Sequence, residues 1–169
     1  AGRELAKLHA PGGRFAVMGN HERKLGARRV EKALRENGIT VLRNEMETLR
    51  RGADALVIAG LDEEYPDYWL RMLRKAEPRA TVFLLAHVPD HAVESRNGFA
   101  LAFSGHTHGG QIVLPLYGPV KIYSDYGIVR GFSKHNGRKV YTTSGIGTSL
   151  LRIRYGVPPE VVLMTIKRK

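Results

Sequence analysis

Apolar residues fall along this chain in short runs, and nearly every run stops at a glycine, a proline or a histidine. Phe15, Ala16, Val17 and Met18 stop at Gly19-Asn20-His21-Glu22, Thr81 to Ala86 stop at His87, and Phe99 to Phe103 stop at Ser104-Gly105-His106. Continuous apolar runs of this length, bounded by turn formers, predict buried strands. Between them the period lengthens. Val30, Ala33 and Leu34 fall on one side of a helix expected over Ala27 to Asn37, with Gly38 as a left-handed cap. Trp69, Met72, Leu73 and Ala76 make the same case for a helix opened by Pro66 and closed by Glu77-Pro78, and Arg3 to His9 for another that turns Leu5 and Leu8 inward. Ile39 to Leu42, Glu45 to Arg50 and Ala55 to Ala59 predict strands, the last two forming an antiparallel hairpin about Arg51-Gly52-Ala53-Asp54.

After Gly110 the punctuation by glycine and proline is dense, which predicts strands at Gln111 to Leu114, Val120 to Tyr123, Lys139 to Thr143 and Val161 to Ile166. Strand and helix alternate early and strands dominate late. That order argues for one α/β domain with two facing β-sheets flanked by helices. Loops following the carboxyl ends of its strands would gather at one edge.

Composition narrows the chemistry. At 169 residues and 43% hydrophobic, the chain fits a single domain with an ample core, and it has no apolar run long enough to cross a bilayer. With no cysteine there is no disulfide, no thiolate metal site and no thiol nucleophile, so any metal must be held by His, Asn, Asp or Glu. The formal charge of +11 favours anionic partners: phosphate esters, an acidic membrane surface or nucleic acid. The cations are spread over Arg28, Arg29, Lys32 and Arg35, over Arg71, Arg74 and Lys75, and over Lys167, Arg168 and Lys169. No aromatic ladder interleaves them, so solvated helix faces are a plainer account than a nucleic-acid track.

His106 and His108 stand one residue apart at a strand end, between Gly105 and Gly109-Gly110. Residues two apart in extended chain face the same way, and paired imidazoles suit a metal; a turn with two solvated histidines would leave the same pattern. The three strand-end loops, Gly19-Asn20-His21-Glu22, Ala86-His87-Val88-Pro89-Asp90 and Gly105-His106-Thr107-His108-Gly109-Gly110-Gln111, occur in that order. So arranged, with a tail of Ser144-Gly145-Ile146-Gly147-Thr148-Ser149 and then Pro158-Pro159-Glu160, the chain from Phe15 onward resembles the calcineurin-like metallophosphoesterases.

The resemblance implies a four-layer αββα sandwich and a site of two divalent metal ions, manganese, iron or zinc. Asn20, His87 and His106 would bind one ion, His108 would help bind the other, and His21 would be the acid that donates to the leaving oxygen. The implied activity is hydrolysis of a phosphomonoester, phosphodiester or pyrophosphate bond of a phosphorylated substrate by a hydroxide that the two ions activate. Membrane-associated relatives add an anionic membrane surface as a partner.

The departures are as informative. The family's Asp-x-His and Gly-Asp-x-x-Asp strand ends are absent upstream of Asn20, so the ligands present are neutral and the bridging carboxylate is missing. The expectation is a domain spanning 1–169 that lacks its first strands, with an open edge near Phe15 to Met18 and little activity by itself. Asp54, Asp62, Glu63, Glu64 and Asp67 sit in no motif that would replace the missing acids and are expected at helix caps or in solvent. His9, His91 and His135 are expected at the surface, and Tyr123, Asp125, Tyr126 and Arg130 are open between lining a cleft and packing. The competing class is a non-catalytic basic domain that binds anions or nucleic acid by charge alone, which would have no need of His21, His106 and His108.

Overall fold

The computed structural model describes residues 2–63, 72, 75–77, 80–95 and 98–167. Its centre is a six-stranded mixed sheet in the order β3-β4-β5-β6-β10-β9. These strands are β3 (Glu45–Arg51), β4 (Asp54–Gly60), β5 (Thr81–Ala86), β6 (Leu101–Ser104), β9 (Gly131–His135) and β10 (Arg138–Thr142). Two small sheets accompany it: β1 (Phe15–Ala16) runs parallel to β2 (Thr40–Val41), and β7 (Val113–Leu114) runs antiparallel to β8 (Gly118–Pro119). Three described helices, α1 (Gly2–Leu5), α2 (Asn20–Glu36) and α3 (Pro89–Glu94), flank the strands. The α/β class with several sheets and flanking helices agrees with the reading of the sequence.

The middle of the sheet is parallel. β4 pairs with β5, β5 with β6, and β6 with β10 in the same direction, while the β3–β4 and β9–β10 hairpins close the flanks antiparallel. Parallel central strands must be covered on both faces, and their sequences show it: Val57, Ala59, Val82, Leu84, Ala86, Ala102 and Val140 are buried in one core cluster. Ala92 and Val93 of α3 join that cluster, with Leu61, Met72 and Ile128. Each buried valine or leucine contributes about 1.5–3 kcal/mol relative to exposure, so the strands that carry the site are anchored by what lies beneath them.

Several expected elements differ. The helix expected over Ala27 to Asn37 begins seven residues earlier, at Asn20, and bends at Gly26, whose φ of 93° no helix contains. Glu22 makes the early start: its carboxylate accepts the Gly19 N–H at 2.9 Å and closes the first turn. The amino-terminal helix is four residues long, and Leu5 and Leu8 are exposed rather than inward. Residues 120–123 and 161–167 form no strand, although β9, with its polar Gly-Phe-Ser-Lys-His pattern, does. It is an edge strand zipped to β10 through Asn136-Gly137, both at positive φ, so turn chemistry overrode a weak apolar pattern. β1 pairs with β2 alone among the described residues. The helix expected at Pro66, with Trp69, Leu73, Arg71 and Arg74, lies outside the described residues; Met72 is buried and Ala76 packs on the core.

Candidate active site

The register of β5 and β6 pairs Ala86 with Ser104, so His87 and the loop at His106 leave adjacent parallel strands side by side. α2 brings a third group to the same edge. Asn20 is its first residue, and its Oδ1 lies 3.0 Å from His87 Nε2; His106 Nδ1 lies 3.1 Å from that same nitrogen. The rings of His87 and His106 meet edge to face at 4.9 Å.

Close approach here requires a glycine. A Cβ on Gly19 would fall 2.5 Å from His87 Cε1 and 2.7 Å from both ring nitrogens. The loop after β6 is wound tightly: His106, His108 and Gln111 take φ of 68°, 52° and 53°, a left-handed conformation that side chains rarely adopt. Thr107 holds it, fully buried, donating its hydroxyl to the Val129 carbonyl at 2.7 Å. Gly109 also stands at positive φ, and a Cβ there would strike Ser144 at 2.7 Å and Val157 at 2.8 Å. Strain concentrated in a loop that presents histidines is the signature of a functional segment held by its surroundings.

Burial, reinforced by the neighbouring His106, lowers the pKa of His87 from 6.5 to about 4. Burial also lowers His106, with His108 adding repulsion, and lowers His108 against the opposing pull of the Gly147 carbonyl. All three rings are therefore neutral at neutral pH, the state in which imidazole binds a metal. Only one proton can sit between Asn20 Oδ1, His87 Nε2 and His106 Nδ1, so lone pairs outnumber donors, an arrangement one cation would satisfy. The amide oxygen and two imidazole nitrogens suit a borderline ion such as zinc, manganese or iron. Among the described residues no group of three or more His, Cys, Asp or Glu is placed to hold a metal, because the third donor is an asparagine and no carboxylate joins the cluster. The donors fit one ion in part and leave its charge unbalanced.

His108 stands beside this cluster. Its Nδ1 is 3.3 Å from the Gly147 carbonyl, and with the proton on that nitrogen Nε2 keeps its lone pair. His21, exposed on the first turn of α2, has its Nε2 3.2 Å from Ser149 Oγ. Gly19-Asn20-His21-Glu22 is thus the start of a helix rather than a loop.

Arg154, which the sequence leaves unmarked, and Glu160, which it marks only as part of the tail, frame the site. The Arg154 guanidinium donates to the carbonyls of His108, Ser144 and Gly147, at 3.2, 2.6 and 2.5 Å respectively. Glu160 accepts from Tyr141 Oη at 2.7 Å and Ser144 Oγ at 2.6 Å, and these bonds hold its pKa below the usual range. The only signal for Arg154 was the absence of an acid between Tyr126 and Pro159 that might pair with it.

Among the acids, Asp62 contradicts the expected solvent exposure: it is buried and accepts from Arg43 Nε at 2.7 Å. Glu63 is half-buried within electrostatic reach of Arg23, Glu22 and His21, and burial raises its pKa. Asp54 is exposed; Glu64 and Asp67 lie outside the described residues. His91 is half-buried in α3, not at the surface, and burial lowers its pKa. The Tyr123 ring stands 6.0 Å from that of His106, and Asp125 donates its backbone N–H to Asp90 at 2.6 Å.

Comparison with known proteins identifies relatives of the chain. The family model described as calcineurin-like phosphoesterase matches residues 2–110. The chain is 37% identical to the uncharacterized metallophosphoesterase YkuE of Bacillus subtilis, over 96% of this chain and 59% of that protein. It is 34% identical to an uncharacterized metallophosphoesterase of Aquifex aeolicus, over 98% and 65%, and 32% identical to the phosphodiesterase YaeI of Escherichia coli, over 90% and 57%. The chain therefore spans less than two thirds of the length of these relatives. Among solved structures, the sulfate thiohydrolase SoxB of Thermus thermophilus shares the fold, with a TM-score of 0.53 and 17% identity over 76% of this chain and 27% of that one. With the family model matching residues 2–110 and three ordered histidine-bearing motifs at the edge of a parallel-centred sheet, the chain belongs to the calcineurin-like phosphoesterase family.

Proposed function

We propose that this chain carries the histidine-bearing side of a dinuclear metal centre and that the protein hydrolyses phosphomonoester, phosphodiester or pyrophosphate bonds. The observation that supports this most is the meeting of Asn20 Oδ1, His87 Nε2 and His106 Nδ1 within 3.1 Å contacts, drawn from one helix start and two strand ends. Asn20, His87 and His106 would hold one divalent ion, and His108, its Nδ1 engaged by Gly147, would offer Nε2 to a second. Bound ions of manganese, iron or zinc would supply charge stabilisation for the phosphoryl oxygens and acidify water.

The protein's own residues do the rest. Burial keeps the ligand imidazoles unprotonated, and the left-handed backbone at His106 and His108 fixes their directions. His21, adjacent to a ligand without being one, is exposed to an incoming substrate and oriented by Ser149; it would donate a proton to the leaving oxygen. The carboxylates needed to balance two cations would come from Asp-x-His and Gly-Asp-x-x-Asp segments that this sequence does not contain. A charge-only binder has no use for converging neutral donors, which is why the enzymatic reading is preferred.

Two polypeptides test it: this chain, and the same chain preceded by a segment bearing both motifs. Manganese titration and hydrolysis of p-nitrophenyl phosphate esters should show weak binding and negligible turnover for the first and metal-dependent turnover for the second. In the longer protein His21→Ala should lower the rate far more than the metal content. Robust turnover by the short chain would refute the shared-cage reading, and an unchanged rate in His21→Ala would refute the acid.

A further inference from the structure

The proton of His108 is placed by the main chain. What faces its Nδ1 is the carbonyl of Gly147, at 3.3 Å. A carbonyl can only accept, so this contact puts the proton on Nδ1 and leaves Nε2 its lone pair. The contact is long, and its acceptor lies in a segment, Thr143 to Thr148, with no regular structure and two glycines. Backbone of that kind is free to turn its carbonyls elsewhere, so the place of the proton depends on whatever holds Gly147.

Arg154 holds it. Its Nε and Nη2 both donate to the Gly147 oxygen, at 2.8 and 2.5 Å; Nη2 also reaches the Ser144 carbonyl at 2.6 Å, and Nη1 the His108 carbonyl at 3.2 Å. One rigid planar group therefore ties the acceptor to the main chain of the very histidine whose ring it serves. Neighbouring bonds pin the segment on either side. Glu160 accepts the Ser144 N–H at 3.2 Å and its hydroxyl at 2.6 Å, and the Glu160 N–H donates to the Gly145 carbonyl at 2.9 Å. The Gln111 side chain accepts the Ser149 N–H at 2.6 Å and donates to the Ser149 carbonyl at 2.9 Å. An arginine beside a phosphoesterase site would ordinarily be taken for a phosphate ligand, since its fork matches two phosphate oxygens. Here all three of its nitrogens are spent on the chain's own carbonyls, and a phosphate could recruit them only by releasing the loop.

We propose that Arg154 is a positioning residue: by fixing the Gly147 carbonyl against Nδ1 it selects the His108 tautomer that bares Nε2, and it does not bind the phosphate of a substrate. A lysine would keep the charge but is a single point that cannot span three carbonyls. The consequence for catalysis rests on the reading of His108 as a metal ligand, whereas the tautomer is a property of the metal-free chain.

Long-range proton–nitrogen correlation spectra of the imidazole rings, recorded at neutral pH, read which nitrogen carries the proton. In the metal-free parent His108 should show a protonated Nδ1 and a bare Nε2. In Arg154→Ala and Arg154→Lys the proton should spread to Nε2 and move that nitrogen's resonance upfield, while the amide signals of β3 and β4 stay in place. Arg154→Lys carries the comparison if alanine costs the fold. In the longer protein bearing both acidic motifs, affinity for the second manganese ion should fall about 10–100-fold in either variant. At saturating manganese, KM for p-nitrophenyl phosphate should stay at the parent's value. A parent with the proton on Nε2, or variants whose His108 keeps it on Nδ1, would overturn the proposal. So would a raised KM with the tautomer unmoved, which would make Arg154 a phosphate ligand. If the tautomer follows Arg154 while the longer protein binds no second ion, the positioning role stands and the reading of His108 as a ligand falls.

Discussion

Replacing Gly19 by alanine isolates the role of close packing at the site. Gly19 has φ −116° and ψ −179°, extended backbone open to any residue, so the substitution asks nothing unusual of the main chain. In the unfolded state alanine has fewer conformations than glycine, which by itself would stabilise the fold by about 0.4–1 kcal/mol. Against that stands the His87 ring, 2.5 Å from where the methyl group must go. Overpacking of this kind costs about 1–3 kcal/mol, and the loss of an N-cap glycine adds up to about 1 kcal/mol, so destabilisation wins. The ring can relieve the clash only by leaving Asn20 and His106, and disturbed ligand orientation lowers metal affinity about 10–100-fold. Thermal melts of Gly19→Ala, Gly19→Ser, His87→Ala and the Gly19→Ala, His87→Ala pair, with zinc or manganese titrations of the first two, test each step. Gly19→Ser restores a good cap while keeping the clash, so it should lose metal affinity as well. In the His87→Ala background most of the stability cost should vanish. A Gly19→Ala protein that melts and binds metal like the parent would refute the packing argument, and a Gly19→Ser protein that recovers full affinity would reassign the effect to capping.

Three further outcomes are expected. Because His87 has its pKa lowered from 6.5 to about 4, the unfolded chain binds more protons than the folded one in that interval. Its contribution, about 3 kcal/mol at most, is therefore full above pH 6.5 and declines as the pH falls toward 4, where it is exhausted, so denaturant midpoints should drop across this window and His87→Gln should flatten the slope. Arg154→Ala removes the donors to the carbonyls of His108, Ser144 and Gly147 and should cost about 1–3 kcal/mol, with amide hydrogen exchange accelerated at His108 to Gly110; protection equal to the parent's would deny Arg154 its bracing role. Gln111→Ala unties two loops at once and should render the 149–155 segment sensitive to a protease specific for arginine, at Arg152 and Arg154, while leaving the sheet's melting cooperative.

How much was legible from the residues depended on where each element found its partner. β5 was read to the residue because TVFLLA is buried by the core on both sides and its ends are marked by polar residues. The β3–β4 hairpin followed from its local turn. Gly19 to Glu22 reads as a loop because Gly26 interrupts the helical period, and a kinked helix leaves no continuous apolar stripe to see. The four proposed ligands stood out by residue type at strand ends, and the structure brings Asn20, His87 and His106 into contact and sets His108 beside them. Of their supports, the sequence marks Ser149 only as part of the tail and Arg154 not at all. Arg154 and Ser149 act through backbone carbonyls and a single hydroxyl contact, and neither leaves a periodic trace. The strand expected at Val161 to Ile166 is a nearly continuous apolar run but has no strand beside it among the described residues, and a strand is defined by its neighbour as much as by its own pattern.

The wide chain separation of the contacting groups sets an order of events during synthesis. Asn20 meets His87 across 67 residues, and His21 meets Ser149 across 128. Contacts of such span form only after the intervening strands have paired, since closing a long loop has to be offset by the sheet that closes it. A chain emerging from the ribosome at roughly 5–20 residues per second would thus hold α2 ready well before Ser149 exists to meet it. The proposed ligands end at His108, so capture of an ion would report that β5 and β6 have paired, ahead of the tail that brings Ser149 to His21.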